Sequence, residues 1–376
     1  MLTFGSILRL LATAALFALN PPAWAGEASS RGPTEAEATP KMEPVAPPAA
    51  GEIERSIDRG VTFLLDRQNG DGSWGSANIS RPMDVYAPVP GAHQAFRAAV
   101  TALCISALIE TASFESGGEK AESAAALDRG EAWLLKNLAR VRRATPDTFY
   151  NSWSHAYGIQ ALVRMLARRP DDAERCRRIR ALIEHQIGML ERYEVVDGGW
   201  AYYDFNAQTQ KPSGATISFV TAAVLVALHE AKLSGIEVPK PLVKRAMDSI
   251  RRQRKPDFSY LYGEYLKWRP MRPINRPGGS LGRSQACNVA MRLWDDRETN
   301  DTVIKAWLDR LFARNLWLDI GRKRPIPHES WFQVAGYFFY FGHYYASRCI
   351  DLLPENERAP FQDHLAHVLL RLQEKE

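Results

Sequence analysis

The chain has 376 residues, 45% of them apolar and 24% charged, with a formal net charge of +5. That is enough apolar residue to bury a sizeable core, and the basic residues are scattered, as in Arg175, Arg177, Arg178 and Arg180, with no concentrated stripe of the kind nucleic-acid binding requires. Nucleic acid is excluded as a partner, while the cationic excess leaves room for peripheral contact with anionic lipid.

The first 25 residues read as an export signal. Arg9 is their only charge, Leu10 to Leu19 is a short apolar core, and Ala23-Trp24-Ala25 fits small-x-small cleavage. The apolar run is too short to span a bilayer, so the expected location is the periplasm or the exterior. Residues 26–51 are rich in Ala, Pro, Glu and Ser; they cannot bury enough surface to offset their ordering entropy and are expected to be a disordered linker. Residues 52–376 form the folded domain.

That domain opens with Ile53, Ile57, Val61, Leu64 and Leu65 on one helical face, followed by Gln68-Asn69-Gly70-Asp71-Gly72-Ser73-Trp74. Gly72 supplies the turn, because glycine accepts φ > 0 without steric cost. The amide of Gln68 and the indole of Trp74 can stack and hydrogen-bond across it. The pattern recurs at Asp197-Gly198-Gly199-Trp200, with Glu194 in the place of Gln68, and more faintly at Gln253 with Asp257-Phe258-Ser259-Tyr260, at Ser152-Trp153 and at Ser330-Trp331. Charged amphipathic segments precede the copies, as in Thr302 to Leu318. Segments of small and apolar residues follow them, as in Ala95 to Ile109 and Ala215 to Leu228. Charged helices are expected outside and apolar ones inside.

The Q-x-x-D-G-S-W element within a helical-hairpin repeat resembles the prenyltransferase and squalene oxidase repeat of terpenoid cyclases and protein prenyltransferase β-subunits. The resemblance covers about residues 52 to 376. It implies an all-α fold, an α/α-toroid of alternating outer and inner helices around a central cavity, and an apolar, isoprenoid-like ligand.

The chemistry of those families is mostly missing. The resemblance implies an acidic D-x-D-D motif for alkene protonation, and none occurs; the nearest context, Ile217-Ser218-Phe219-Val220-Thr221-Ala222, holds no group that can donate a proton. Asp295-Asp296 fails as D-D-x-x-D because Thr299 stands at the fifth position. For zinc, Cys287 and His343 match two of the three ligands that the prenyltransferase pattern implies, but Gln285 stands where Asp is needed, and a catalytic zinc requires three protein ligands. No cofactor is expected. The isolated cysteines Cys104, Cys176, Cys287 and Cys349 are expected as free thiols.

What remains is a set of rings and imidazoles at inner-helix starts and faces. Trp153, Tyr157, Trp200, Tyr202, Tyr203, Trp331, Tyr337, Tyr340 and Tyr344 are candidates for the wall of a ligand cavity, although large rings at helical spacing also simply fill a core. His155, His343 and Asp204 are the best-placed titratable candidates for catalysis. The loop from Lys267 to Pro277, stiffened by three prolines and charged by one Lys and three Arg, could lie over the cavity mouth and grip a phosphate or carboxylate. Three readings stay open: a non-catalytic binding toroid, an enzyme on an isoprenoid by a non-standard route, and a carbohydrate-active α/α-barrel.

The C-terminal segment Phe361 to Leu372 reads as a sixth outer helix, and Gln373 matches Gln68. Six outer segments against five inner ones predict a ring that lacks its last inner helix, with exposed apolar sides that invite self-association.

Overall fold

The computed structural model describes residues 40–75, 90–112, 118–204, 211–212, 214–322 and 336–373. The predicted export signal, the predicted linker up to residue 39 and the predicted wall residue Trp331 lie outside the described residues. Among those described, extended segments meet only as isolated bridges, and the domain is all-α. Its outer helices are α1 (Glu52–Asp66), α3 (Gly118–Asn137), α5 (Ala173–Tyr193), α7 (Lys240–Gln253), α9 (Asp301–Ala313) and α12 (Ala359–Leu370). Its inner helices are α2 (Pro90–Thr111), α4 (Asn151–Arg168), α6 (Ser218–Leu233), α8 (Pro277–Leu293) and α11 (Phe338–Asp351), with a short α10 (Asn315–Arg322) lying against α8 and α11.

The two classes differ as their sequences dictate. α7 buries Leu242, Val243, Ala246, Met247 and Ile250, one stripe of an otherwise charged helix. α6 is buried from Ser218 to Leu228 without interruption, because α4 and α8 flank it, α7 covers its outer side and α11 fills the side facing the centre. Asp172 and Asn300 start α5 and α9 by accepting the backbone N–H groups of Arg175 and Val303.

The joints between repeats explain why the motif recurs. Gly72 has φ +90°, and a Cβ there would lie 2.6 Å from the Arg129 carbonyl oxygen, so only glycine lets α3 cross this closely. Gln68 Nε2 donates to the carbonyls of Gly72 (2.9 Å) and Ala126 (2.8 Å), and its Oε1 accepts from Arg129 Nε (3.1 Å). The Trp74 indole N–H donates to Leu64 O at 2.7 Å, and the backbone N–H of Trp74 to Thr101 Oγ1 at 3.0 Å. Amide and indole therefore bond across the turn to backbone, not to one another. Asp71 accepts from Ser73 and Arg97; burial opposes ionisation, but these donors outweigh it and hold the carboxyl below its ordinary value.

The copy at 194–200 repeats the geometry. Gly198 has φ +91° with its Cβ position 2.6 Å from Arg245 O, Trp200 Nε1 donates to Leu190 O at 2.8 Å, and Trp200 N donates to Thr221 Oγ1 at 2.9 Å. Glu194 takes Arg245 bidentately, both bonds 2.8 Å. Asp197, the counterpart of Asp71, is exposed and its backbone carbonyl accepts from Arg252. In the third copy Phe258 takes the glycine position at φ +59°.

The ring closes through the same device. Gln373 Nε2 donates to Ser56 O (2.8 Å) and its Oε1 accepts from Arg59 Nε (3.0 Å). A carbonyl and an arginine three residues later are also what Ala126 and Arg129 offer Gln68, so α12 meets α1 as α1 meets α3. Inside, α2, α4, α6, α8 and α11 pack in that order. A Cβ on Gly342 would lie 2.6 Å from Gly282 Cα, so α8 and α11 cross backbone to backbone. The domain is an α/α-toroid with six outer and five inner helices among the described residues.

The linker expectation differs from the structure at its end. Residues 40–51 run along the domain, with Met42 packed against the core and His364 Nε2 bonded to Glu43 O. One large apolar side chain anchors a segment whose composition alone argues for disorder.

Candidate functional site

The inner helices start at one end of the ring, and tyrosines gather there. Tyr150 precedes α4, Tyr202 and Tyr203 lead towards α6, Tyr262 lies before α8, and Tyr337 precedes α11. Their hydroxyls link in pairs: Tyr150 with Tyr203, Tyr202 with Tyr262, and Tyr262 with Tyr337 at 3.2 Å. The segments carrying them are tied backbone to backbone, as in Phe149 N to Tyr202 O (2.8 Å) and Glu264 N to Thr216 O (2.8 Å). Burial raises the pKa of Tyr202 well above the ordinary value, so its hydroxyl stays neutral.

Beneath this girdle the centre is aromatic. Trp153 stacks on Tyr157 with centroids 5.9 Å apart and meets Phe341 edge-on at 6.1 Å; Phe219 packs on Phe338 at 4.9 Å. At the far end of the inner helices, Arg164 bridges Glu230 (2.8 Å) and Glu110, and Arg348 joins the same Glu230 (2.8 Å). That network ties α2, α4, α6 and α11.

Among the described residues, one side of the centre has no helix of its own. α2 presents Phe96, Val100, Leu103 and Ala107 at helical spacing, with Val100 and Leu103 exposed. α11 presents Tyr337, Tyr340, Phe341 and Tyr344, with Tyr340 56% exposed. These stripes lie on the first and last inner helices among the described residues, and half-buried Trp153 of α4 meets Phe341 of the second. Tyr344 donates to Gln160 Oε1 at 3.3 Å, and buried Gln160 Nε2 has no hydrogen-bond partner within the protein.

No protein-family model and no curated protein matches the chain. Among solved structures, a Salmonella alpha-2-macroglobulin reacted with methylamine is 15% identical with a TM-score of 0.34, over 62% of this chain and 16% of its own. The type II terpene cyclase MstE from Scytonema, in its apo form, is 16% identical with a TM-score of 0.31, over 74% of this chain and 81% of its own. The chain thus spans about a sixth of the macroglobulin's length. At these TM-scores neither likeness carries an argument; the fold rests on its own helices and joints.

The candidate residues divide among several places. Trp153, Tyr157, Tyr202, Tyr337 and Tyr344 come together as girdle and centre, whereas Tyr340 meets Phe339 and the Arg322 guanidinium of α10. Trp200 does not join them; it is wholly buried in its joint. His155 turns outward to α5, with Nδ1 on Gln186 Oε1 (2.6 Å) and its other nitrogen 3.2 Å from Asn151. Burial lowers its pKa to about 4, so the ring is neutral. His343 bonds Phe339 O through Nδ1 (2.7 Å) and lies near Asp319 of α10; burial lowers its pKa too. Asp204 is buried beside the girdle, its backbone N–H on Asp147 O. Cys287 is buried, its thiol pushed up to about 12. No group of three metal-ligating side chains is present among the described residues. Asp296, half of the tempting acidic pair, is held by Arg254 (2.7 Å) and Thr299 (2.8 Å).

Sequence reasoning missed Arg283. It is wholly buried in α8, with its guanidinium on the carbonyls of Tyr260 (2.8 Å), Gly279 (2.8 Å) and Ile274, under the rings of Tyr262 and Phe338. It locks the approach to α8 against the girdle. A cation among the small residues Gly278, Gly279, Ser280, Gly282 and Ser284, which let helices pack closely, was the signal that could have found it. The predicted clamp loop, from Lys267 on, lies beside a cavity of about 170 Å³ lined by Asp197, Thr216, Glu264, Tyr265, Lys267 and Trp268 among others.

Proposed function

We propose that this chain is an exported binding toroid for an elongated apolar, isoprenoid-like molecule, held in the cleft between α2 and α11, and that it performs no protonation chemistry. The observation that carries this is the pair of exposed stripes, Val100 with Leu103 on α2 and Tyr337 with Tyr340 on α11, beside a half-buried Trp153 that meets Phe341 of α11 edge-on. Monomeric proteins keep such patches small unless they bind something. A single polar end on the ligand would suit the unpaired amide N–H of Gln160. The non-catalytic part is supported by the lack of a D-x-D-D acid and by the engagement of Glu230 with two arginines.

The test is mass spectrometry of lipids co-purifying with the wild type and with Leu103→Glu, beside titration with farnesol followed by tryptophan fluorescence. An isoprenoid held by the wild type and lost in the variant is expected. Empty wild type without a farnesol response, or equal retention by the variant, would overturn the reading. Turnover of squalene above a boiled control would overturn the non-catalytic part.

A further inference from the structure

The segment joining α7 to α8 carries a surface that neither the joints nor the cleft uses. From Gly263 to Asn275 its backbone runs through successive i→i+3 hydrogen bonds: Leu266 N to Gly263 O, Lys267 N to Glu264 O, Arg269 N to Leu266 O, Arg272 N to Arg269 O and Asn275 N to Arg272 O. A three-residue period stacks side chains i and i+3 on one side. Here it sets Tyr265, Trp268 and Met271 outward, at 56%, 83% and 66% exposure. The base beneath them is fixed: Leu266 and Ile274 are buried, Asn275 Oδ1 accepts the Tyr262 N–H at 2.9 Å, and Lys255 Nζ donates to Asn275 O at 2.8 Å. The exposed rings therefore stand on a tied platform.

Four cations surround them. Lys267, Arg269, Arg272 and Arg276 are all exposed, and no Asp or Glu occurs from Tyr265 to Trp294. Lys267 Nζ sits 5.3 Å from the Trp268 ring centroid, and Arg276 Nε bonds the Met271 carbonyl. Aromatic rings favour the headgroup level of a bilayer, a thioether side chain favours the acyl boundary, and cations favour anionic headgroups. A soluble polyanion would satisfy the charges and leave the three apolar side chains in water.

We infer that the loop from Tyr265 to Arg276 docks the domain on an anionic phospholipid surface, with Tyr265, Trp268 and Met271 at the interface and the four cations among the headgroups. This rests on the loop alone and is independent of the ligand cleft.

The test is co-sedimentation of the full chain with vesicles of phosphatidylcholine, with and without phosphatidylglycerol, together with fluorescence quenching by brominated acyl chains. Binding is expected only with phosphatidylglycerol, and raised salt should weaken it. The triple variant Lys267→Gln, Arg269→Gln, Arg272→Gln should lose about fivefold in affinity per cation removed. Trp268→Ala should remove most of the quenching. Every substituted side chain is exposed, so helical circular dichroism should not change, and a variant that changes it is replaced by Met271→Ser, which should weaken binding to the phosphatidylglycerol vesicles. Equal binding to both vesicles, undiminished binding by the triple variant, or binding to heparin with no lipid quenching of Trp268 would each overturn the inference.

Discussion

Replacing Trp200 tests the joint that builds the ring. Its side chain is wholly buried, and its indole N–H bonds Leu190 O at 2.8 Å. A tryptophan of this kind buries ~150–250 Å², which at ~25 cal/mol per Å² is about 4–6 kcal/mol. Aromatic-to-alanine truncations in cores cost about 3–5 kcal/mol, so Trp200→Ala should lose about 4 kcal/mol. Trp200→Phe keeps most of the ring and loses the bond to Leu190, for about 1–2 kcal/mol. Urea unfolding followed by helical circular dichroism measures both. Because the ring closes on itself, the midpoint should fall while the urea slope stays unchanged. A loss below about 1 kcal/mol for Trp200→Ala, or equal losses for both variants, would refute the joint. A separate early transition would show that the repeats unfold singly, as in an open solenoid.

Gly342→Ala should lower the melting temperature although alanine favours helix, because its Cβ would lie 2.6 Å from Gly282 Cα; a gain in stability would refute the crossing. Burial holds His155 near a pKa of about 4, against an ordinary value of 6.5. The unfolded chain therefore binds the proton first, and stability should be full above about pH 6.5 and fall as the pH drops towards 4, by up to about 3 kcal/mol. His155→Asn should flatten that slope, and an unchanged slope would show that other groups set it. Of the four free thiols, Cys287 and Cys349 are buried and half-buried Cys104 is pushed up to about 12. Cys176, near the start of α5, should alone react quickly with a disulfide reagent, and Cys176→Ser should abolish the fast phase. A second fast thiol would contradict the burial described.

The joints and the alternation of six outer and five inner helices among the described residues were legible in the sequence because both rest on local rules, whereas the break of the segment Thr302 to Leu318 into α9 and α10 was not. Gly72 and Gly198 mark turns that need φ > 0, and the outer helices carry a 3.6-residue stripe. The same rules led to Gln373, whose match to Gln68 becomes the closing contact. The direction of His155 and His343 was not legible. Most residues of α4 and more than half of those of α11 are buried, so their sequences have little polarity by which to tell the centre from the outer ring, and both imidazoles turn outward. Arg283 was passed over because a buried arginine held by three carbonyls leaves no charge partner in the sequence to suggest it. Trp153, Tyr157, Tyr202, Tyr337 and Tyr344 did converge, but Trp200 belongs to a joint, where the motif rather than its ring chemistry sets its place.

The contact between Gln373 and Ser56 joins residues 317 apart, whereas Gln68 and Arg129 are 61 apart and Glu194 and Arg245 are 51 apart. Loop-closure entropy rises only slowly with length, by about 0.6 kcal/mol per doubling, yet folding speed falls as contacts become less local. The ring should therefore assemble joint by joint and seal at α12 and α1 last, so that a kinetic phase sensitive to Arg59 and Gln373 but not to Arg129 would mark the sealing step. Since the seam has the chemistry of an internal joint, its position along the chain is arbitrary. A circular permutant that links residue 373 to residue 52 and opens the chain between α7 and α8 should build the same ring with the slow step moved to the new break.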